Sequence, residues 1–455
     1  MNPRSFIKKV IPTELFSRIE PLGHWVEAIL AQVYNGFPSR DLKIIGVTGT
    51  DGKTTTSTLI AHLLRHSGYK VAMMTTISVD YGDGLGEQPN PTRLTTVGAF
   101  DLAAKLKQIK KSGAEWLILE TTSHALAQHR VWAVPYSIAV MTNINHEHLD
   151  YHKTFERYRD AKRLLFKQAN NNHKGYRAGI INAEDPSAKL FESDIKHPLT
   201  YGVKNGDIRA TNVKMSAAGS KYTAIIGMDK YNIVCNLPGS FNVFNSLAAV
   251  SVGHIIGLKQ ENIEAGIAEL KSVEGRMASV KEGQDFEVIV DYAHTPESFE
   301  KIFNELRPMA QNRLITVFGS AGRRDEAKRS KQGEIAGILC DTVIVSEEDD
   351  RDVDGLEILD QIASGAKKAG KTLNKDLFII HNREDAIEKA IRMAKKGDVV
   401  ILLGKGHEKS ILSNGPQASE LRHLPQDDSD ERRVVKRDFD EVKVATECLK
   451  KVLNK

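Results

Sequence analysis

Lys43-Ile44-Ile45-Gly46-Val47-Thr48-Gly49-Thr50-Asp51-Gly52-Lys53-Thr54-Thr55-Thr56 passes from an apolar strand pattern, through a glycine-rich turn, into a helical pattern. Leu59, Ile60, Leu63 and Leu64 share one face of that helix. A turn of this kind points backbone N–H groups at phosphate oxygens, and the helix dipole adds to the attraction. Lys53 is then placed to reach the β- and γ-phosphates, and the Thr54 hydroxyl to reach Mg²⁺. One position departs from the usual phosphate loop: counted back from Gly52, glycine is expected where Val47 stands. A chance GKT in a glycine turn is the competing reading, and the strand before and helix after weigh against it. The stretch reads as a nucleoside-triphosphate site. A phosphate-loop protein also needs an acid for its metal, and the next apolar run, Trp116-Leu117-Ile118-Leu119-Glu120, ends in one.

Outward from this loop the rhythm repeats. Apolar runs at 43–47, 116–119, 137–141 and 178–181 each lead into turn chemistry and a helical pattern. The same alternation returns at 287–290, 314–318, 342–345, 377–380 and 399–403. Strands spaced by helices imply an α/β protein with parallel sheets and βαβ crossovers. The polar stretch 271–282 is the weakest, and the domain boundary is placed there. The expected division is a short helical N-terminus at 1–42, an ATP-binding domain at 43–273 and a Rossmann-like domain at 274–455. Short strands at 199–234 suggest an antiparallel edge, and the charge-dense stretch 417–440 reads as a solvated loop.

The chain has 455 residues, enough for about two to four domains. Lys and Arg total 63 against 59 Asp and Glu, so the net charge of +4 gives no polybasic footprint for nucleic acid. Apolar residues at 41% and charged residues at 27% fit a globular chain rather than a disordered one. The three cysteines, Cys235, Cys340 and Cys448, form no CxxC pair, which fits a reducing cytoplasm. The first residues hold no apolar signal region. The most apolar long stretch, 241–258, is broken by Asn242, Asn245, Ser246 and His254, so no membrane insertion is expected. The oligomeric state is not legible.

After Glu120 comes Thr121-Thr122-Ser123-His124-Ala125-Leu126-Ala127-Gln128-His129-Arg130-Val131, and after the next strand Thr142-Asn143-Ile144-Asn145-His146-Glu147-His148-Leu149-Asp150-Tyr151-His152. Histidines 146, 148 and 152 raise zinc, but HExxH is absent, and one imidazole among oxygen ligands of Mg²⁺ fits equally. At these residues the chain resembles the Mur ligases, ATP-dependent enzymes that extend the peptide of peptidoglycan precursors. Within that family it is most similar to the members that add the third residue to UDP-N-acetylmuramoyl-L-alanyl-D-glutamate. The matching motifs run in order: TGTDGKTTT at 48–56, ETTSHALAQHRV at 120–131 and TNINHEHLDYHKTFERYRDAKRLLF at 142–166. PGSFNVFNSLAA follows at 238–249, then GRM at 275–277, DYAHTP at 291–296, RRDEAKR at 323–329 and GKGHE at 404–408. Asp51 stands where Asn is commoner.

The resemblance implies a carboxylate activated by ATP as an acyl phosphate and then attacked by an amine. It assigns Gly49, Thr50, Asp51, Gly52, Lys53, Thr54 and Thr55 to the phosphates, with Asn143 and Asn245 beside the nucleotide. Arg276, Asp291 and His294 would close over it from the C-terminal domain. Thr54, Glu120 and His148 would serve Mg²⁺. Thr95, Thr96, Ser123, Gln128 and Arg130 would meet the cell-wall precursor, and Arg324, Arg351, Gly404 and Glu408 the incoming amino acid. Lys162 matches the lysine that the family carbamylates for its metal. The residues agree: in the helical segment 154–167, Lys162 shares a face with Tyr158, Leu165 and Phe166. A lysine there loses hydration, its pKa falls, and the neutral amine can take up CO₂; the alternative is a stem along the apolar face with the head in water.

Some features depart from the family pattern. Only about 40 residues precede the phosphate-loop strand, so the family's N-terminal grip on UDP is expected to be missing or replaced. The DNPR motif that reads diaminopimelate aligns with Glu348-Asp349-Asp350-Arg351, and Val97 follows Thr95-Thr96 where the family has proline. The acidic run could neutralise Arg351, or be a solvated loop. The expectation is meso-diaminopimelate as the added residue, with L-lysine second. Two other readings compete: a folylpolyglutamate- or cyanophycin-like ligase with another acceptor, and a non-catalytic nucleotide switch.

Overall fold

The computed structural model describes residues 13–90, 94–216, 219–414 and 434–453. The chain divides into two compact units, one running to Lys271 and one from Ser272, apart from Ser216 and Leu237–Gly239, which group with the second.

The first unit is built on an eleven-stranded sheet. Its strands are β1 (Lys43–Thr48), β2 (Val71–Met74), β3 (Ser78–Asp80), β4 (Gln88–Pro89), β5 (Trp116–Glu120), β6 (Tyr136–Met141) and β7 (Ala178–Asn182). β8 (His197–Gly202), β9 (Ile208–Ser216), β10 (Gly219–Ile226) and β11 (Asp229–Cys235) complete it. The order is β11-β10-β9-β8-β7-β6-β1-β5-β2-β3-β4, so β1 lies between two parallel neighbours, β5 and β6. Burial on both faces explains why these strands read as continuous apolar runs rather than alternating ones. The expected antiparallel edge at 199–234 is a mixture: β8 and β9 continue the parallel run, and β10 and β11 form the antiparallel hairpin.

Of helices α1 (Thr13–Asn35), α2 (Lys53–His66), α3 (Ala99–Ser112), α4 (Ser123–Ala127), α5 (Leu149–His152) and α6 (Phe155–Asn171), α2 carries the candidates Lys53, Thr54 and Thr55, α4 carries Ser123 and α6 carries Lys162. α1 joins this unit through Ala28 and Ala31, which pack on Ala99 and Ala103 of α3 beside Trp132. Residues 1–12 of the expected helical N-terminus lie outside the described residues. The helix carrying Asn245 begins at Phe241 and runs to Ile256, so Asn245 sits inside it.

The second unit has a six-stranded sheet in the order β12-β13-β17-β14-β15-β16. These are β12 (Ala278–Val280), β13 (Glu287–Asp291), β14 (Leu314–Phe318), β15 (Thr342–Val345), β16 (Leu377–Ile379) and β17 (Val399–Leu403), all parallel except β12 at the edge. Successive residues feed opposite cores: Ile289, Leu314, Ile401 and Leu403 enter one, Val288, Ile315, Val400 and Leu402 the other. That is the strand period of two with both faces covered. The helix at Pro296–Leu306 starts where the sequence dictates: Thr295 and Ser298 form a capping box and Pro296 occupies the first turn.

One expectation needs correcting. Residues 434–438 of the supposed solvated loop form a strand, Val434–Asp438, paired antiparallel with Ser410–Asn414. Its mostly exposed positions keep a charged, loop-like composition, and the cross-strand hydrogen bonds decide the structure. The rest of that stretch up to 433 lies outside the described residues.

Candidate active site

The phosphate loop leaves the C-terminal end of β1, and Val47 pairs in register with Glu120 at the end of β5. Ligands of parallel α/β sheets gather at this edge. Val47 is fully buried in the strand. Gly46 is needed for packing: a Cβ there would lie 2.6 Å from Leu165 and 2.7 Å from Tyr136. The glycines that shape the turn are Gly49 and Gly52. A Cβ on Gly49 would fall 1.8 Å from Thr142 Oγ1, and one on Gly52 would fall 2.4 Å from Asn245 Oδ1. Gly52 also holds a left-handed φ of 80°.

The loop is held from its neighbours. Thr50 N–H donates to Asn143 O at 2.8 Å, Asp51 N–H to Asn143 Oδ1 at 2.9 Å, and Thr142 Oγ1 to Asp51 O at 2.6 Å. Lys53 Nζ folds back onto Gly49 O (3.0 Å) and Thr50 O (2.8 Å), curling over the loop where phosphate oxygens would compete for it. Thr54 and Thr55 are buried at the start of α2. Asn245 Oδ1 accepts from Thr56 at 3.2 Å, joining its helix to the loop's base.

Glu120 is fully buried, and its Oε2 accepts from the Thr76 hydroxyl at 2.9 Å. Thr76 also lies 2.8 Å from Thr95 Oγ1, and Thr96 Oγ1 donates to Glu120 O at 2.9 Å. Thr95 and Thr96 therefore belong to the wall beside Glu120. Arg130 Nη1 donates to Thr96 O at 2.9 Å and its Nε to Gln128 Oε1 at 2.8 Å, which extends the same wall. Ser123 Oγ is bonded to buried His152 Nε2 at 3.0 Å. His148 is exposed, with a left-handed φ of 55°, its ring 4.7 Å from that of His124 and its Nε2 3.6 Å from Glu147 Oε2. Histidines 146, 148 and 152 bring no three ligand atoms together among the described residues, so zinc finds no support.

Lys162 is 2% exposed on α6, its ammonium 4.4 Å from the centre of the Tyr158 ring. Among the described residues no carboxylate lies in ion-pair range of it. Burial pushes its pKa well below the ordinary lysine value, and the charge of Lys53 adds to the shift. The snorkelling alternative is set aside. Tyr158, which the sequence offered only as a core residue, bonds Thr50 Oγ1 at 2.9 Å and donates to Glu147 Oε2 at 3.1 Å. Tyr158, Thr76 and Thr142 all escaped sequence reading. A polar pair directly after a strand, such as Thr75-Thr76 after β2, was the available signal.

In the second unit the candidates again sit at the C-terminal edge of the sheet. Asp291 ends β13 and accepts from the N–H groups of Met277 and Ala293, both at 2.8 Å; burial raises its pKa. Arg276 lies over the Tyr292 ring at 5.3 Å, and exposed His294 contacts Tyr292 O at 3.0 Å. Arg324 is exposed. Gly404 follows β17 with φ 103°, and a Cβ there would stand 2.6 Å from Glu348 Oε2. Glu408 Oε2 accepts from buried Lys405 at 2.6 Å.

The acidic run is not a solvated loop. Glu348, Asp349 and Asp350 are all at least nine-tenths buried, and other parts of the chain bring partners to the last two. Lys405 binds Asp349 at 3.0 Å, and His381 binds Asp350 at 2.8 Å. Arg351 holds a left-handed φ of 57° and donates its N–H to Leu412 O at 2.9 Å. No carboxylate lies in ion-pair range of its guanidinium among the described residues.

Among the described residues no helix is long and apolar enough to cross a membrane. The Mur ligase middle domain matches residues 47–253, and the Mur ligase glutamate ligase domain matches residues 275–406. A UDP-N-acetylmuramyl-tripeptide synthetase of Roseiflexus sp. (strain RS-1) is 40% identical over 397 residues, covering 85% of this chain and 78% of the relative. A UDP-N-acetylmuramoyl-L-alanyl-D-glutamate–2,6-diaminopimelate ligase of Bacillus velezensis is 38% identical over 385 residues, 84% of this chain and 76% of the relative. A solved structure with the same ligase title matches with a TM-score of 0.65 at 28% identity, covering 95% of this chain and 83% of that one.

Proposed function

The chain belongs to the Mur ligase family, and from that premise we propose that it adds an amino acid to UDP-N-acetylmuramoyl-L-alanyl-D-glutamate. As a member it is an ATP-dependent, ADP-forming amide ligase. The observation that carries the substrate reading is one sheet edge in the first unit. There the phosphate loop stands one strand from Glu120, and Glu120 shares its wall with Thr96, Gln128 and Arg130.

Hydroxide is too poor a leaving group for direct amide formation, so the γ-phosphoryl of ATP is first transferred to the acceptor carboxylate. Lys53 leaves the loop carbonyls for the phosphates and stabilises the charge spread over the transferring group. The incoming amine then attacks the acyl carbon, inorganic phosphate departs with the bonding pair, and the amine's proton passes to solvent or a neighbouring base. The Thr54 hydroxyl, the Glu120 carboxylate and the His148 imidazole would be the groups to hold Mg²⁺, two oxygen donors and one nitrogen. The metal, when bound, neutralises phosphate charge. Lys162 joins that set once its neutral amine has taken up CO₂, forming a carbamate and releasing one proton. Ser123, Thr95 and Thr96 line the acceptor side. Asn143 and Asn245 serve the nucleotide from the first unit.

The incoming residue is read as meso-diaminopimelate. Asp349 and Asp350 are already engaged by Lys405 and His381, so they do not neutralise Arg351. A guanidinium without a protein carboxylate suits the side-chain carboxylate of that amino acid, with Arg324, Gly404 and Glu408 beside it. The setting is the cytoplasm, where ATP and the nucleotide-linked precursor occur together. Mass spectrometry after incubation with ATP, Mg²⁺, the UDP-linked dipeptide and a panel of amino acids tests the reading. A tripeptide product with diaminopimelate supports it. A kcat/KM preference for lysine that survives Arg351→Ala overturns the amino-acid assignment, and phosphate release without any peptide product overturns the ligase.

A further inference from the structure

Helix α1 places one stripe of residues, His24, Glu27, Ala28 and Ala31, at the i, i+3, i+4, i+7 spacing of a single helical face. The stripe changes character along its length. Ala28 and Ala31 are buried against Ala99 and Ala103 of α3, where small residues let two helices approach closely. A turn earlier the stripe carries His24 and Glu27. They border an open cleft of about 140 Å³ whose other walls are Leu94, Gly98, Ala99, Gln128 and Arg130. A helix serving only as a strap would carry its small apolar stripe onward. This one turns polar where it reaches Gln128 and Arg130, which the proposed function assigns to the acceptor.

The cleft has the build of a binding site. Arg130 is held in orientation by Gln128 Oε1 and Thr96 O, and Thr96 is tied to the Glu120 strand end, so the cleft and the Glu120 carboxylate share a wall. Trp25 meets Trp132 edge-on at 6.4 Å and fixes the helix at the level of His24. A guanidinium recognises carboxylate or phosphate oxygens, and a carboxylate accepts from sugar hydroxyls or amide N–H groups. An imidazole does either.

We propose that His24 and Glu27 of the N-terminal helix are acceptor-binding residues, completing with Gln128 and Arg130 a cleft for an anionic, hydroxyl-bearing sugar-peptide. The inference rests on the functional reading above. It assigns to α1 contacts on the acceptor rather than a purely structural role. The anion is either a phosphate of the nucleotide-linked end or a carboxylate of the peptide, and the test separates the two.

The test uses the full chain with His24→Asn, Glu27→Gln and the double substitution, and Tyr34→Ala on the exposed side of α1 as control. The KM for UDP-N-acetylmuramoyl-L-alanyl-D-glutamate is expected to rise about tenfold in the double variant, a loss the size of one or two polar contacts. KM for ATP, kcat and the melting temperature should hold, and the control should match wild type. Calorimetry without ATP should show the same loss of acceptor affinity. Repeating it with the muramoyl dipeptide lacking UDP places the contact. A loss for both ligands points to the sugar-peptide, and a loss for the UDP-linked form alone points to phosphate. An unchanged acceptor KM in a double variant that still ligates overturns this inference and leaves the functional reading intact. A wild-type chain that never ligates this acceptor overturns the functional reading first.

Discussion

Lys162 in the first unit and Lys405 in the second are both withdrawn from water, at 2% and 0% exposure, and the protein treats them in opposite ways. Removing an ammonium from water costs several kcal/mol unless counter-charges restore it. Lys405 receives two, Asp349 at 3.0 Å and Glu408 at 2.6 Å. Among the described residues Lys162 has the face of a tyrosine ring and no ion pair, and its pKa falls well below the ordinary value through burial and the nearby charge of Lys53. A buried lysine between carboxylates holds a sheet edge together. One without them is ready to exist as the neutral amine, which is the reactive form.

The largest expected effect sharpens the chemical side of that contrast. Lys53→Ala should lower ligation on the order of 10³-fold or more, because the transferring phosphoryl group loses its cation. Circular dichroism and the melting temperature should stay at wild-type values, and substantial turnover would remove the phosphate loop from the mechanism.

Next in size, Lys405→Ala takes the cation from buried Asp349 and half-buried Glu408. Breaking a buried pair in this way costs about 3–5 kcal/mol. Urea denaturation of the variant should show that loss; a value under about 1 kcal/mol would mean that the second unit does not depend on the pair.

Lys162→Met, by contrast, strands no partner and suits an apolar face. Its stability in bicarbonate-free buffer should stay within about 1 kcal/mol of wild type or exceed it. The pH dependence has a definite sign. The native pKa lies below the unfolded value of 10.5, so between the two the unfolded chain holds the extra proton. Wild-type stability from this group therefore falls as pH drops from 10.5 to the native pKa, and is flat below it. The advantage of Lys162→Met should shrink as pH rises towards 10.5. A constant advantage would mean that Lys162 stays charged in the native state.

The same contrast explains how much could be read from the sequence. The phosphate loop was legible because strand, glycines, Lys53 and helix are contiguous, and Glu120 because a carboxylate ends the next central strand. The face of Lys162 was legible from helical spacing alone. The acidic run 348–350 was not, since its partners Lys405 and His381 come from the turns that follow β17 and β16. Composition cannot distinguish buried carboxylates with distant partners from a solvated loop. Thr76 and Tyr158 were missed for a related reason: their polar contacts reach Glu120 and Thr50 across 44 and 108 residues. The strand Val434–Asp438 was hidden by its mostly exposed positions, which carry no alternation of burial to read.

The most direct test is chemical rescue of Lys162→Ala. If the buried amine works by becoming a carboxylate, the variant should lose ligation and regain part of it when acetate or another short-chain carboxylic acid fills the space. Lys53→Ala under the same conditions should gain nothing. Full activity of Lys162→Ala without any added acid would contradict the account.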